Sequence, residues 1–138
     1  MEFTTIDKFN TYHKWLSDIS DIVKNDASGK WHEINPPFYL NCFDDPFDIY
    51  IGTEYGFVSL TDDCKTIDDR IEEAKGKNMV DVFLKFAKEV CDENNVSFRS
   101  STDNTVELVM IVHKHEIIPN LNRYINALNI ISNVNLLG

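Results

Sequence analysis

His113 and His115 form the most ligand-like group in the sequence. Two histidines spaced two residues apart on a strand project from one face and can share a metal ion, but a metal site requires a third and usually a fourth ligand. The sequence spacing does not identify a third ligand. His32, Cys64 and Glu116 could contribute only if the fold brought them close to the two histidines. We therefore predict neither a metal nor a cofactor, and we keep a small metal-dependent enzyme using His113 and His115 as one alternative function.

Other residue types that could support catalysis lack their usual neighbours. Cys64 or Cys42 beside a histidine would make a nucleophile pair, but no flanking motif accompanies either cysteine, and a buried structural thiol is the default reading. The acids of the segment 44–48 lack the ligand order of an EF-hand calcium loop. The sequence also contains no glycine-rich phosphate loop and no Gly-x-Ser-x-Gly elbow. We predict no catalytic residues and a protein that is not an enzyme.

Negative charge is concentrated in the middle of the chain. Between residues 44 and 73 there are ten acidic and two basic residues, so this segment carries −8 of the formal net charge of −10. Aromatic residues such as Tyr50 and Tyr55 are interleaved with the acids. Clustered carboxylates with aromatic anchors favour fast binding of a cationic protein. The residues that we predict to bind such a partner are Asp44, Asp45, Asp48, Tyr50, Glu54, Tyr55, Asp62, Asp63, Asp68, Asp69 and Glu72.

The same charge disfavours two other classes of partner. Nucleic acids and anionic membranes attract clustered lysine and arginine, so we expect no direct binding to either. Two structural explanations of the acids stay open. Acidity can serve solubility alone, and the acids between Asp68 and Glu73 can stabilise the start of a helix through its dipole.

Hydrophobic periodicity predicts the elements that position these residues. Alternation and turn residues predict three consecutive strands at 38–43, 47–51 and 57–60, and a later hairpin of 96–101 and 105–113 around a turn at 102–104. The strand 105–113 is apolar on both sides, which favours the interior of the sheet. Spacing of three and four residues predicts helices at 4–25, 66–91 and 116–132. Thr4 with Asp7, and Thr66 with Asp69, predict capping boxes, while Gly76 is a possible break within the second helix.

These elements predict an α+β fold in a single domain spanning residues 1–138. The order α-βββ-α-ββ-α gives three main helices packed on an antiparallel or mixed sheet of about five strands. A chain of 138 residues that is 43% hydrophobic can bury a core of its own. We expect a cytoplasmic protein, because the first residues lack the basic segment of a signal peptide and no apolar run reaches about 20 residues. The oligomeric state is left open.

The strand–turn–strand segment FDIYIGTEYGFVSLTDD, residues 47–63, completes this plan. A small acidic α+β domain built around such a unit resembles the immunity proteins of bacterial polymorphic-toxin and contact-dependent growth-inhibition systems. The resemblance implies a non-enzymatic inhibitor that binds one cognate toxin domain, often a nuclease, and blocks its active site or a nearby exosite. The alternative is an adaptor or regulatory subunit that binds its partner through the apolar face of the last helix.

Overall fold

The computed structural model describes residues 4–25, 30–101 and 105–136. It has the α+β class that the sequence predicts, with four helices and a five-stranded antiparallel sheet. In chain order the elements are α1 (Thr5–Asn25), β1 (Trp31–Ile34), β2 (Ile49–Glu54), β3 (Phe57–Thr61), α2 (Lys65–Gly76), α3 (Val80–Glu93), β4 (Ser97–Ser100), β5 (Val106–His113), one 3₁₀ turn (Lys114–Glu116) and α4 (Ile117–Asn133).

The strands are arranged in the order β1-β2-β3-β5-β4, and each pairs antiparallel with its neighbours. Strand β5 is hydrogen-bonded on both sides, by β3 and by β4, which confirms its predicted interior position. The predicted turn at 102–104 lies outside the described residues.

One face of the sheet carries the hydrophobic core. Ile51, Leu60 and Met110 face each other across β2, β3 and β5, and each is at most 1% exposed. Residues of α2, α3 and α4 complete the same cluster, including Ile67, Phe83, Leu121 and Ile125. The hydroxyl of Tyr124 on α4 donates a 2.6 Å hydrogen bond to the carbonyl of Leu108 on β5. The helices therefore pack against this face of the sheet and bury its apolar side chains.

The opposite face of the sheet is not covered by any helix of the described chain, and we call it the open face. Directly opposed residues of antiparallel strands point to the same side, so the register places Trp31, Gly52, Ser59 and Ile111 in one row across this face. Trp31 is 57% exposed and Ile111 is 53% exposed. Apolar residues on both sides of β5 therefore predicted its interior position in the sheet. They did not predict whether a helix covers the open face.

Two sequence predictions about the strands were wrong. Residues 38–43 do not form a strand, and only an isolated bridge between Leu40 and Pro46 occurs there. Instead the side-chain oxygen of Asn41 accepts hydrogen bonds from the backbone N–H of Phe43 and of Asp45, which closes a turn. The first strand is instead Trp31–Ile34, a segment that was not predicted as a strand. Pro36 and Pro37 follow it and cannot donate to a ladder.

The predicted second helix is two helices, because the chain breaks at residues 77–79. Lys77 caps α2, and Asn78 adopts a positive φ of 59° before α3 begins at Val80. The Thr4–Asp7 capping box is confirmed, since each backbone N–H donates to the side chain of the other residue at 3.2 and 3.1 Å. The capping box predicted for Thr66 and Asp69 does not form, because a different acid caps α2.

Candidate functional site

Asp62 is that acid, and it is only 1% exposed. Its carboxylate accepts hydrogen bonds from the backbone N–H of Cys64 at 3.0 Å, of Thr66 at 3.1 Å and of Leu108 at 3.0 Å. It thus satisfies free donors at the start of α2 and joins that helix to β5. The prediction that Asp62 faces a partner is corrected, because its burial leaves no surface for one. Burial raises the pKa of Asp62, although these hydrogen bonds favour its ionised form.

Several other predicted acids gather at one end of the sheet. Asp45 lies in the turn closed by Asn41, Asp48 precedes β2, and Asp68 and Asp69 lie in the first turns of α2. Burial raises the pKa of Asp69, and repulsion from Asp68, Asp45 and Asp48 adds to the rise, against the attraction of Lys65. Electrostatic repulsion acts among these carboxylates, so they share one surface region.

Lys65 neutralises one member of this group. Its Nζ lies 3.0 Å from Oδ2 of Asp48 and 3.4 Å from the hydroxyl oxygen of Tyr50. Partial burial raises the pKa of Asp48, but hydrogen bonds led by that from Lys65 outweigh it, so the net shift is downward. Within the described residues no ion pair involves Asp45, Asp68 or Asp69. No ion pair within the described residues therefore neutralises their charge.

Asp63 extends the negative surface onto the open face. It lines a shallow depression of about 350 Å³ with Trp31, Tyr50, Thr61 and Glu107. Burial raises the pKa of the Cys64 thiol, and repulsion from Asp62, Glu107, Asp63 and Asp68 adds to the rise. We call the solvent-accessible acids of this region the acidic end. They are the exposed Asp44, Asp45, Asp63, Asp68 and Asp69 and the half-buried Asp48 and Glu107.

Three predicted residues lie elsewhere. Glu54 is the last residue of β2, and Tyr55 lies in the turn that leads to β3, where it is 92% exposed. From Asp48 to Glu54 the chain runs extended over six residue steps, which corresponds to about 20 Å. Glu72 pairs with Lys75 at 3.2 Å on the surface of α2. The predicted residues thus do not form one patch, and Glu54 and Tyr55 mark the far end of the sheet.

The histidines do not assemble a metal site. The described residues contain no group of three or more His, Cys, Asp or Glu that could hold an ion. His113 ends β5 and His115 lies in the 3₁₀ turn, so the two are not on one strand as predicted. Their rings stack with centroids 4.8 Å apart, and His113 meets the edge of Phe57 at 5.7 Å.

The cysteines also offer no activated nucleophile. All three are free thiols, and Cys91 is buried. Burial raises the pKa of Cys91 to about 12 and also raises those of Cys42 and Cys64. A thiol with a raised pKa is protonated near neutral pH and is a poor nucleophile.

The apolar face of the last helix is not a free surface. Leu121, Tyr124, Ile125, Leu128 and Ile131 of α4 are each at most 1% exposed, because they pack into the core. An adaptor that binds through this face is therefore incompatible with the fold. No helix in the described ranges is both long and apolar enough to cross a membrane.

Sequence reasoning missed Trp31 and Glu107 as members of the site. Their positions 76 residues apart gave no local signal, and Trp31 was assigned to no strand. The alternation Val106, Leu108, Met110 marked Glu107 as facing the other side of β5, and that alternation could have placed it on the open face.

Comparisons of the chain with protein-family models, with curated proteins and with solved structures found no match.

Proposed function

We propose that this chain is a non-enzymatic inhibitor that binds a basic protein partner through its acidic end. The partner is a toxin domain, in the first instance a nuclease, and the complex forms in the cytoplasm. Carboxylates would occupy the positions where the lysines and arginines of the nuclease hold phosphates. Neither nucleic acid nor a membrane is a direct ligand.

One observation carries this proposal: exposed carboxylates that form no ion pair within the described residues gather at one end of the sheet, beside an apolar sheet face that no described helix covers. Asp45, Asp68 and Asp69 supply long-range attraction, while exposed aromatic side chains supply area that loses water on contact. Interfaces with fast association combine these two features, since charge speeds the encounter and a desolvated centre slows dissociation.

The test uses the product of the reading frame directly upstream of the gene as the candidate partner. The partner domain is expressed in bacteria with and without this chain, and growth is recorded. Rescue of growth together with a direct complex is the expected result. If the upstream product neither inhibits growth nor binds the purified chain, the proposed function is wrong.

Association kinetics then test the electrostatic mechanism. The double variant Asp45→Lys with Asp69→Lys is expected to slow association by roughly tenfold at low salt, because the partner loses its attraction to the acidic end. The control is Glu89→Lys with Glu93→Lys on α3, which changes the net charge equally at exposed positions outside the acidic end. Equal slowing in both variants would show that the acidic end has no specific part.

A further inference from the structure

Two side chains that each reach over a neighbouring strand help to form the depression on the open face, one from the edge strand β1 and one from the interior strand β5. Trp31 belongs to β1, but its indole lies over Gly52 of β2, where an added Cβ would stand 3.0 Å from Cε3 and 3.1 Å from Cζ3. Glu107 belongs to β5, but its carboxylate accepts a hydrogen bond from the hydroxyl of Thr61 on β3. Gly52 and Thr61 lie on adjacent strands with an offset of two residues, because Thr61 is opposite Tyr50, so about 7–8 Å separates the backbones beneath the indole and the carboxylate.

The other groups around the depression add negative charge. Asp63 lines it directly, and Glu33 lies opposite Tyr50 on the same face. The cation nearest to Tyr50, Lys65, is already bound to Asp48. On the outer side, Arg99 of β4 lies opposite Glu107, but no ion pair among the described residues joins the two.

We propose that this depression receives an arginine side chain projecting from the basic partner. The inference rests on the proposed function, because it assigns the centre of the interface with that partner. The guanidinium would stack on the indole of Trp31 and donate hydrogen bonds to the carboxylates of Glu107 and Asp63. Carboxylates beside a planar aromatic surface complement a guanidinium in both charge and shape.

Arginine fits this site better than lysine for a geometric reason. A guanidinium is planar, so one face stacks on an indole while the N–H groups of its edge reach carboxylates in the same plane. An ammonium group is a compact, strongly hydrated charge that cannot make both contacts in this way. Phosphate and other anions are excluded by the sign of the surrounding charge.

The first experiment uses N-acetylarginine amide as the probe and follows the indole N–H signals by NMR. The chain has two tryptophans, so a Trp15→Phe spectrum assigns the signal of Trp31. A saturable shift of the Trp31 signal is expected, with the Trp15 signal unchanged. N-acetylcitrulline amide, which has nearly the same shape without the charge, is expected to give no saturable shift. Equal shifts with both probes would overturn the proposal.

Variants then locate the binding groups. Glu107→Gln is expected to weaken binding of the arginine probe by about tenfold through loss of a charged hydrogen-bond partner. Asp63→Asn serves as a second variant if Glu107→Gln does not fold. The matched control is Glu89→Gln, an exposed acid on α3 outside the acidic end, which is expected to change the affinity by less than about twofold. Unchanged affinity in both pocket variants would overturn the assignment.

The cognate complex separates failure of this inference from failure of the proposed function. Faster dissociation of the partner from Trp31→Ala and Glu107→Gln is expected, with Glu89→Gln on α3 unchanged. If the partner binds through the acidic end but dissociates from these variants at the original rate, the arginine site is wrong and the inhibitor proposal stands. If no partner binds and the arginine probe still does, the proposed function is wrong and the chemistry of the depression stands.

Discussion

The same strands form both faces of the sheet, but helices cover only one of these faces in the described part of the chain. On β5, Met110 is 1% exposed and its neighbour Ile111 is 53% exposed. On β3, Leu60 is fully buried and Phe57 is 50% exposed. Helices α2, α3 and α4 pack on one face, and no described helix packs on the other. Apolar side chains on the first face therefore stabilise the fold, whereas those on the second are free to contact a partner.

The largest expected effect comes from alanine substitutions at adjacent positions on β5. Met110→Ala should lower the free energy of unfolding by about 3 kcal/mol, because it leaves a cavity in the core. Ile111→Ala should lower it by about 1 kcal/mol or less, because the side chain is half in water. Urea unfolding followed by circular dichroism measures both values. Similar losses at the two positions would mean that the open face is covered in solution.

The next pair compares neighbouring acids that differ in burial. Asp62→Asn should cost about 2 kcal/mol, because an amide cannot accept all three backbone hydrogen bonds that the carboxylate accepts. Asp63→Asn should stay within about 0.5 kcal/mol, because that side chain is exposed and asparagine tolerates the positive φ of 53°. The same urea titrations give both values. A larger loss at Asp63 than at Asp62 would contradict the capping role.

Asp62 also makes the stability of the fold depend on pH. Because its pKa is raised in the folded state, the folded protein holds this proton more tightly than the unfolded chain does. Its contribution to stability is fully present below the ordinary pKa of about 3.9 and is lost as the pH rises through the folded value. The difference in unfolding free energy between the original chain and Asp62→Asn should therefore shrink as the pH is raised from 4 to 7. A difference that grows with pH would mean that folding lowers the pKa of Asp62, contrary to this prediction.

The smallest expected effect concerns glycines. Gly52→Ala should displace the indole of Trp31, because the added Cβ falls at 3.0 Å from it, and should change its fluorescence at a cost of about 1 kcal/mol or less. Gly76→Ala is the control, since nothing lies within 4 Å of its Cβ position at the end of α2. An unchanged Trp31 emission in Gly52→Ala would mean that the indole does not rest on this glycine.

Local signals in the sequence determined much of the fold. The Thr4–Asp7 capping box, the β2–β3 hairpin, the interior position of β5 and the break near Gly76 each depend on residues close together in the chain, so propensity and periodicity predicted them. The concentration of acids was visible for the same reason. The prediction of a strand at 38–43 was wrong because apolar alternation does not show whether a neighbouring strand is present to pair with the segment.

Only the tertiary structure decided which acids face solvent and which residues meet. Asp62 and Asp63 are alike by sequence, yet one accepts hydrogen bonds from β5 and α2 while the other lines the depression. Trp31 and Glu107 approach each other because four strands pair in a particular order, and pairing over such separations depends on the packing of the whole sheet. Composition determines how much charge the chain carries, whereas long-range contacts determine where that charge is exposed.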